Sequence, residues 1–225
     1  MAKDLHQEFK EIVSLTRRYI EQEMGLEEGD CLKEAAEGAP LDPVRSLIAD
    51  CKKCSLWTSR TNIVLGAGNE EADLVIIGEA PGNDEDVAGE PFVGRAGKLL
   101  TKMLGAVKIS REEVYITNVV KCRPPQNRDP KEEEISSCSP YLSEQLKILK
   151  PKLILTLGNF ATRTLLKTTE GITQLRGKIF SYEGIPLLPT FHPSALLHNP
   201  NLKKYAWEDL KRLRKEVDRL KVDRL

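Results

Sequence analysis

Four short apolar runs mark the chain at residues 73–77, 113–120, 152–158 and 185–191, and polar loops follow all of them except the third, which opens directly into a helix. β-Branched runs of this length, bounded by turn residues, are typical of buried strands. Helical spacing of apolar residues follows each run, and strands that alternate with helices indicate a parallel sheet covered on both faces. We therefore predict an α/β fold with three layers, α/β/α, around a central, mostly parallel four-stranded sheet.

The chain has 225 residues, enough for one α/β domain and a short appendage. We assign residues 1–42 to an N-terminal extension, with an amphipathic helix over 4–23 and an acidic linker, and residues 43–225 to the main domain. No apolar run approaches the ~20 residues of a membrane span, and the N-terminus lacks the apolar core of a signal peptide. We expect a cytoplasmic protein without a membrane partner.

The chain has 34 basic and 34 acidic residues, so its formal charge is zero. Any binding of nucleic acid must therefore rest on a local patch of positive charge.

Four of the five cysteines have the spacing of a metal site. Cys51 and Cys54 form a C-x2-C pair, and Cys122 and Cys138 form a wider C-x15-C pair, whereas Cys31 stands apart. A close pair followed by a second pair is typical of four-thiolate sites. The spacing fits zinc and an iron–sulfur cluster equally well, and the ordinary alternative is four unrelated buried thiols.

The longest polar loop follows the first apolar run, from Gly78 to about Gly94. Open α/β sheets place their sites on loops at the carboxyl ends of strands, and parallel strands bring those ends to one edge. The candidates for chemistry are therefore the polar residues of these loops, namely Glu79, Asp84, Glu85, Asp86, Asn118, His192 and Ser194. We expect Asp84 and Asp86 to be solvated, as acids in loops usually are.

The loop after the second run contains two consecutive prolines and ends at Asp129-Pro130. Asp129 is a suitable N-cap for a helix that runs to about Leu149. The chain contains neither a G-x-S-x-G elbow nor a G-x-G-x-x-G loop, which argues against a serine hydrolase and a dinucleotide site.

Three segments resemble motifs of the family 4 uracil-DNA glycosylases, the iron–sulfur-containing enzymes of bacteria and archaea. They are Gly78–Gly82 with Glu85 and Pro91–Gly97, then Thr117–Pro125 with Asn127 and Arg128, and finally Thr190–Ser194. The resemblance runs from about Pro43 to Trp207, and the four cysteines fall where that family holds its cluster. It implies a uracil-DNA glycosylase-like fold and a structural [4Fe-4S] cluster on Cys51, Cys54, Cys122 and Cys138.

The implied function is DNA base-excision repair by a monofunctional hydrolase that flips a deoxyuridine and breaks its N-glycosidic bond. The substrate would be uracil-containing DNA, single- or double-stranded, and the enzyme a monomer. The N-terminal helix would dock on the core or on a partner such as a sliding clamp.

The resemblance also gives each motif residue a role. Phe92 would stack on the flipped base, Asn118 would read uracil O4 and N3–H, and His192 would donate to O2. Backbone groups at Gly78 and Ala80 would complete the pocket. Glu79 is the first candidate for the acid beside the sugar, and Glu85 is the second.

Basic residues in the same motifs would contact phosphates: Arg95, Lys98, Lys121, Arg123, Arg128 and Lys131. Ser194 would grip a phosphate, and Leu196 with Leu197 would wedge into the gap left by the flipped base. The ordinary alternative for the two leucines is a place in the core.

Two other functions fit parts of the sequence. A non-catalytic iron–sulfur module that holds DNA would need the cysteines but not Glu79, Asn118 and His192. A zinc-stabilised phosphohydrolase would instead use Asp84 and Asp86.

Overall fold

A computed structural model describes residues 39–222, with side chains described as far as Leu220. The helix predicted at residues 4–23 and most of the linker lie outside the described residues, so the extension and its docking remain predictions. From Leu41 onward the described chain forms one unit. None of its helices is both long and apolar enough to cross a membrane.

Six strands form a single sheet in the order β1-β3-β2-β4-β6-β5. Their bounds are β1 (Ala67–Gly68), β2 (Leu74–Gly78), β3 (Tyr115–Asn118), β4 (Leu153–Leu157), β5 (Phe180–Tyr182) and β6 (Ile185–Thr190). The four central strands are parallel, whereas β1 and β5 pair antiparallel at the two edges. The predicted α/β class and parallel centre are confirmed. The predicted number of four strands is wrong, because the two edge strands are too short to show a hydrophobic period.

Eight α-helices surround the sheet in the described region. They are α1 (Asp42–Ile48), α2 (Asn83–Ala88), α3 (Arg95–Ala106), α4 (Glu132–Leu149), α5 (Gly158–Leu166), α6 (Ile172–Leu175), α7 (Pro193–His198) and α8 (Lys203–Val222). Short 3-10 turns occur at Ser55–Thr58, Arg111–Glu113, Pro125–Asn127 and Pro200–Leu202.

The alternation of side chains along the strands creates two hydrophobic cores. On β2, Val75 and Ile77 pack with residues of α1 and α4, whereas Leu74 and Ile76 pack with residues of α3 and α8. This period of two is what a strand buried on both faces requires. The result is the predicted arrangement of three layers.

Two local predictions differ from the structure. The loop after β2 contains the helix α2, which its glycines and acids concealed. Helix α4 begins at Glu132 rather than after Asp129, because the carboxylate of Glu134 accepts a hydrogen bond from the Lys131 N–H at 2.8 Å and caps the helix there.

Candidate active site

The loops after β2, β3 and β6 meet at the carboxyl edge of the sheet around a cleft of about 400 Å³. The parallel register pairs Gly78 with Asn118, so the first two motifs begin side by side. The lining residues are Glu79, Ala80, Pro81, Gly82, Glu85, Phe92, Ala96, Asn118, Pro124, Asn127, Arg128, His192, Ser194 and His198. The cleft therefore brings together all of the sequence-predicted catalytic and base-contacting residues except Gly78, which lies beneath it.

Asn118 ends β3 and is 1% exposed. Its side-chain Oδ1 is buried and has no hydrogen-bond partner among the described residues. Its backbone carbonyl accepts a hydrogen bond from the buried ammonium of Lys121 at 2.6 Å, which fixes the end of the strand. A buried acceptor without a partner costs about 1–3 kcal/mol, so this atom is suited to a ligand that donates a hydrogen bond.

Phe92 lies beside His192, with ring centroids 5.6 Å apart and planes tilted by 37°. The Phe92 backbone has a φ of +56°, a left-handed conformation that is uncommon for an aromatic residue. Gly97 allows this turn, since a Cβ at that position would overlap the Phe92 carbonyl. Strained residues of this kind cluster at functional sites.

The hydrogen bonds of His192 define its tautomer. Its Nδ1 accepts the Ser194 backbone N–H at 3.2 Å and lies 2.7 Å from the Ser194 Oγ. Burial lowers the pKa of His192 to about 4, so the ring is neutral at physiological pH. A neutral imidazole whose Nδ1 accepts carries its proton on Nε2. The side chain can therefore act as a donor from Nε2.

The two candidate acids have different environments. Burial, with repulsion from Asp129 as a smaller contribution, raises the pKa of Glu79 to about 7. The carboxylate of Glu85 accepts three backbone hydrogen bonds, from Gly82 at 3.1 Å, Val93 at 3.0 Å and Gly94 at 2.9 Å. Glu79 thus has a pKa suited to proton transfer, whereas Glu85 fixes the shape of the first motif loop.

The basic residues predicted to contact phosphates differ in how exposed they are. Arg95, Lys98 and Lys131 are exposed, and Arg123 bridges Asn83 and Asn127, each at 2.7 Å. The prediction that Lys121 contacts a phosphate is wrong, because the residue is 0% exposed and its ammonium donates hydrogen bonds to Thr117, Asn118 and Gln145.

Arg128 lines the cleft and forms a two-pronged ion pair with Glu134, which lowers the pKa of that acid to about 2. Much of its charge is therefore already balanced within the protein.

Two further predictions are corrected by burial. Leu196 is 1% exposed and belongs to the core, so it cannot wedge into DNA, whereas Leu197 is 37% exposed. Asp86 is 2% exposed rather than solvated, since its carboxylate accepts the backbone N–H groups of Thr61 and Asn62. Asp84 is exposed, as expected.

The cleft also contains two polar side chains that the sequence analysis did not select as contacts, those of Asn127 and His198. Asn127 bonds Arg123 across the second motif loop. His198 lies four residues after Ser194 on α7, a spacing that places two residues on the same face of a helix. That spacing was the signal available in the sequence.

Cys51, Cys54, Cys122 and Cys138 all line one small cavity between α1, α4 and the end of β3. Within residues 39–222, no three His, Cys, Asp or Glu side chains converge closely enough to hold a single metal ion. Two N–H donors approach the sulfurs: Arg60 Nη1 lies 3.3 Å from the Cys122 Sγ, and the Lys121 N–H lies 3.3 Å from the Cys138 Sγ. Such donors stabilise thiolate ligands.

Comparisons with known proteins agree with this geometry. The family model of the uracil DNA glycosylase superfamily matches residues 65–211. A type-4 uracil-DNA glycosylase from Sulfurisphaera tokodaii is 48% identical over 183 residues, covering 77% of this chain and 83% of that protein.

The corresponding type-4 proteins give similar values. That of Saccharolobus solfataricus is 46% identical over 186 residues, covering 79% and 86% of the two chains. That of Archaeoglobus fulgidus is 44% identical over 181 residues, covering 77% and 91%. Because these relatives match along most of both chains, and the resembling motifs meet in one cleft, this chain belongs to the type-4 family of uracil-DNA glycosylases.

Proposed function

We propose that the cleft excises uracil from DNA, the activity that begins base-excision repair. A flipped deoxyuridine enters the cleft, and water replaces the base at the sugar C1′, which leaves free uracil and an abasic site. The observation that carries the proposal is the buried Oδ1 of Asn118, which has no partner within the described part of the chain and lies in a cleft with Phe92 and His192.

Asn118 can distinguish uracil from cytosine. Its Oδ1 accepts from uracil N3–H, and its Nδ2 donates to O4. Cytosine presents a bare N3 and an amino group at these positions, so both bonds would become repulsive contacts between like groups. A site built on such bonds rejects the wrong base strongly, because buried polar groups are left unpaired.

Phe92 offers a flat surface to the extruded base. Extrusion costs a few kcal/mol of stacking and pairing within DNA. Stacking on an aromatic side chain contributes roughly 1–3 kcal/mol per base, which offsets much of that cost.

His192 stabilises the departing uracil. Negative charge develops on the ring as the glycosidic bond breaks, and the Nε2–H of the neutral imidazole can donate to O2. Ser194 holds the ring in this tautomer through its contacts with Nδ1. A donor oriented before the reaction is effective because it needs no reorganisation when the charge appears.

Glu79 is the acid that we place beside the sugar. In its ionised form it stabilises the positive charge that develops on the sugar and accepts a proton from the attacking water. Glu85 is a positioning residue in this proposal, since its carboxylate is occupied by three backbone N–H groups.

DNA contacts are proposed for basic groups around the cleft that are exposed or half-buried. Arg95 and Arg123 carry charge without a carboxylate partner in the residues that the structure describes, as phosphate binding requires. Leu197, beside His198 at the cleft, takes the role of wedge that the sequence assigned to both leucines.

The four cysteines fit a structural [4Fe-4S] cluster. All four thiols line one cavity, and N–H donors face two of the sulfurs, an environment that suits thiolate ligands. Such a cluster would tie the loop before β1 to β3 and α4. Absorbance near 400 nm and iron analysis test this assignment, whereas a colourless protein with one zinc would contradict it.

The activity is tested with an oligonucleotide that contains one uracil, incubated with EDTA and then treated with alkali to cleave abasic sites. We expect cleavage at the uracil alone, unaffected by EDTA and lost in Asn118→Ala. The matched control is Asn127→Ala, an asparagine at the cleft mouth, for which we expect a far smaller effect.

Other outcomes would support the alternative functions. An oligonucleotide that is bound but never cleaved would indicate a non-catalytic DNA-binding module. Cleavage lost in EDTA would indicate the phosphohydrolase, although the buried bonds of Asp86 already argue against a metal at that acid.

A further inference from the structure

Aromatic and basic residues in the first turns of α8 form an exposed surface. It consists of Lys203, Lys204, Tyr205 and Trp207, and we call it the α8 patch. Tyr205 and Trp207 are 43% and 42% exposed, unusually high for large aromatic side chains. Helical spacing places the two lysines one turn before Trp207 on the same face. No acidic residue occurs between Glu183 and Glu208, and Glu208, which follows the patch, pairs with Lys211 at 2.8 Å, so Lys203 and Lys204 give the patch a local positive charge in a chain of zero net charge.

The α8 patch lies at the same edge of the sheet as the cleft. Strand β6 ends there at Thr190, and the short α7 and a 3-10 turn lead directly to Lys203. The other end of α8 lies at the opposite edge, where Val217 and Leu220 line a cavity with Leu74, the first residue of β2. Helix α8 therefore runs back along the sheet, and its first two turns are on the cleft side.

A stack of side chains joins the patch to the cleft wall. The guanidinium of Arg176 lies 5.3 Å from the Tyr205 ring and 5.8 Å from the Phe191 ring. The buried Asp209 pairs with Arg176 and fixes it. Phe191 directly precedes His192, so the start of α8 is held in a fixed position relative to the candidate catalytic residues.

We propose that the α8 patch binds single-stranded DNA on one side of the flipped uridine. Exposed aromatic rings beside lysines are the usual means of holding single strands, because every unpaired base can stack on a ring while its phosphate contacts a cation. A duplex offers no free base face to such a ring. Trp207 provides the stacking surface, and Lys203 and Lys204 contact the adjacent phosphates. This inference rests on the proposed function, which places DNA in the cleft.

Tryptophan fluorescence tests the stacking directly, since the chain has only two tryptophans, Trp57 and Trp207. In Trp57→Phe, the emission reports on Trp207 alone. We expect a uracil-free oligothymidylate to quench it, with a midpoint that matches binding measured by anisotropy of a labelled strand. Unchanged Trp207 emission at saturation would overturn the proposal.

Affinity measurements test how much Trp207 contributes to DNA binding and on which side of the uracil the α8 patch holds the strand. Trp207→Ala should raise the Kd for a single-stranded substrate about 5- to 150-fold, the equivalent of one lost base stack, with kcat at saturating DNA retained. Trp207→Phe keeps an aromatic ring and should restore most of the affinity. The loss should appear for oligonucleotides that extend from the uracil on one side and not for those that extend on the other. Equal losses for both would indicate a structural effect and contradict the proposal.

Salt dependence tests the lysines. Lys203→Gln combined with Lys204→Gln should reduce the slope of log Kd against log salt by about 1.4, since each phosphate contact on a single strand contributes about 0.7. Lys152→Gln, at the amino end of β4, is the control and should leave the slope unchanged. If the wild type quenches with oligothymidylate but releases no uracil, the proposed function fails while the α8 patch stands.

Discussion

Gly78→Ala should slow the enzyme about 100-fold without replacing any of the side chains that we place in the base-binding site. Gly78 is the last residue of β2, and the side chains of Asn118 and Phe92 pack directly over it. A Cβ at this position would lie 2.6 Å from the Phe92 Cζ and still closer to the Asn118 Oδ1. Ordinary contacts begin near 3.4 Å, so the added methyl group must displace both the Asn118 side chain and the Phe92 ring.

The size of the effect follows from that displacement. Both groups must move by roughly 1 Å, and a misplacement of this size costs about 100-fold in rate when reacting groups are held by their surroundings. We therefore expect the single-turnover rate of uracil release to fall about 100-fold. The fall should depend on Asn118, so Gly78→Ala should add little to Asn118→Ala, because two changes acting on one contact are not additive.

The assay is single-turnover release of uracil from an oligonucleotide, with thermal unfolding as the test of folding. Gly105→Ala is the matched control, because a Cβ there meets no described atom within 4 Å and helix α3 gains roughly 0.5–1 kcal/mol from the alanine. That variant should keep its rate and melt slightly higher. A folded Gly78→Ala protein within threefold of the wild-type rate would refute the placement of Asn118 and Phe92 as the base-binding pair.

Three further predictions concern pH, the cysteines and a buried ion pair. Burial raises the pKa of Glu79 to about 7, and its ionised form is the active one, so the rate of uracil release should rise with pH up to about 7 and then level off. The Glu79→Gln variant should be slower by about 10²–10⁴, and its rate should not change with pH over this range. A Glu79→Gln variant that keeps the wild-type pH profile would exclude this acid. Cys138→Ser should lose absorbance near 400 nm and melt several degrees lower, whereas retained iron would argue against this ligand. Arg176→Met leaves the buried Asp209 without its ion-pair partner, which should lower the free energy of unfolding by about 3–5 kcal/mol and Tm by about 6–20 °C. The control is Lys147→Met, which removes an exposed ion pair and should change the free energy of unfolding by about 1 kcal/mol or less.

The central strands and most helices could be predicted from the sequence because the spacing of their apolar residues follows from which faces are buried. The run at residues 73–77 is apolar at every position but the first, as a strand buried on both faces must be, and the structure places β2 there. Edge strands β1 and β5 are only two and three residues long, too short for a period, so their pairing was missed. Helix α2 was also missed, because its six residues are mostly polar and too few to show a helical spacing of apolar side chains.

Individual side chains show where sequence reasoning ends. Leu196 and Leu197 are identical neighbours in the motif, yet one lies in the core and the other is exposed. Lys121 belongs to a basic motif, yet its ammonium is enclosed by the β3 end and Gln145 of α4. Residue type limits what a side chain can do, but burial depends on which elements pack against it.

The sequence by itself determined the order of the central strands and most helices, the motifs that resemble a known family and the types of residue available for chemistry. These are local properties, since periodicity and spacing are read along one segment at a time. The tertiary structure decided which of those residues meet. Only the parallel register of β2 with β3 places Gly78 beneath Asn118, and only the return of the chain at β6 brings His192 to Phe92. Contacts between distant segments arise from packing, which no single segment encodes.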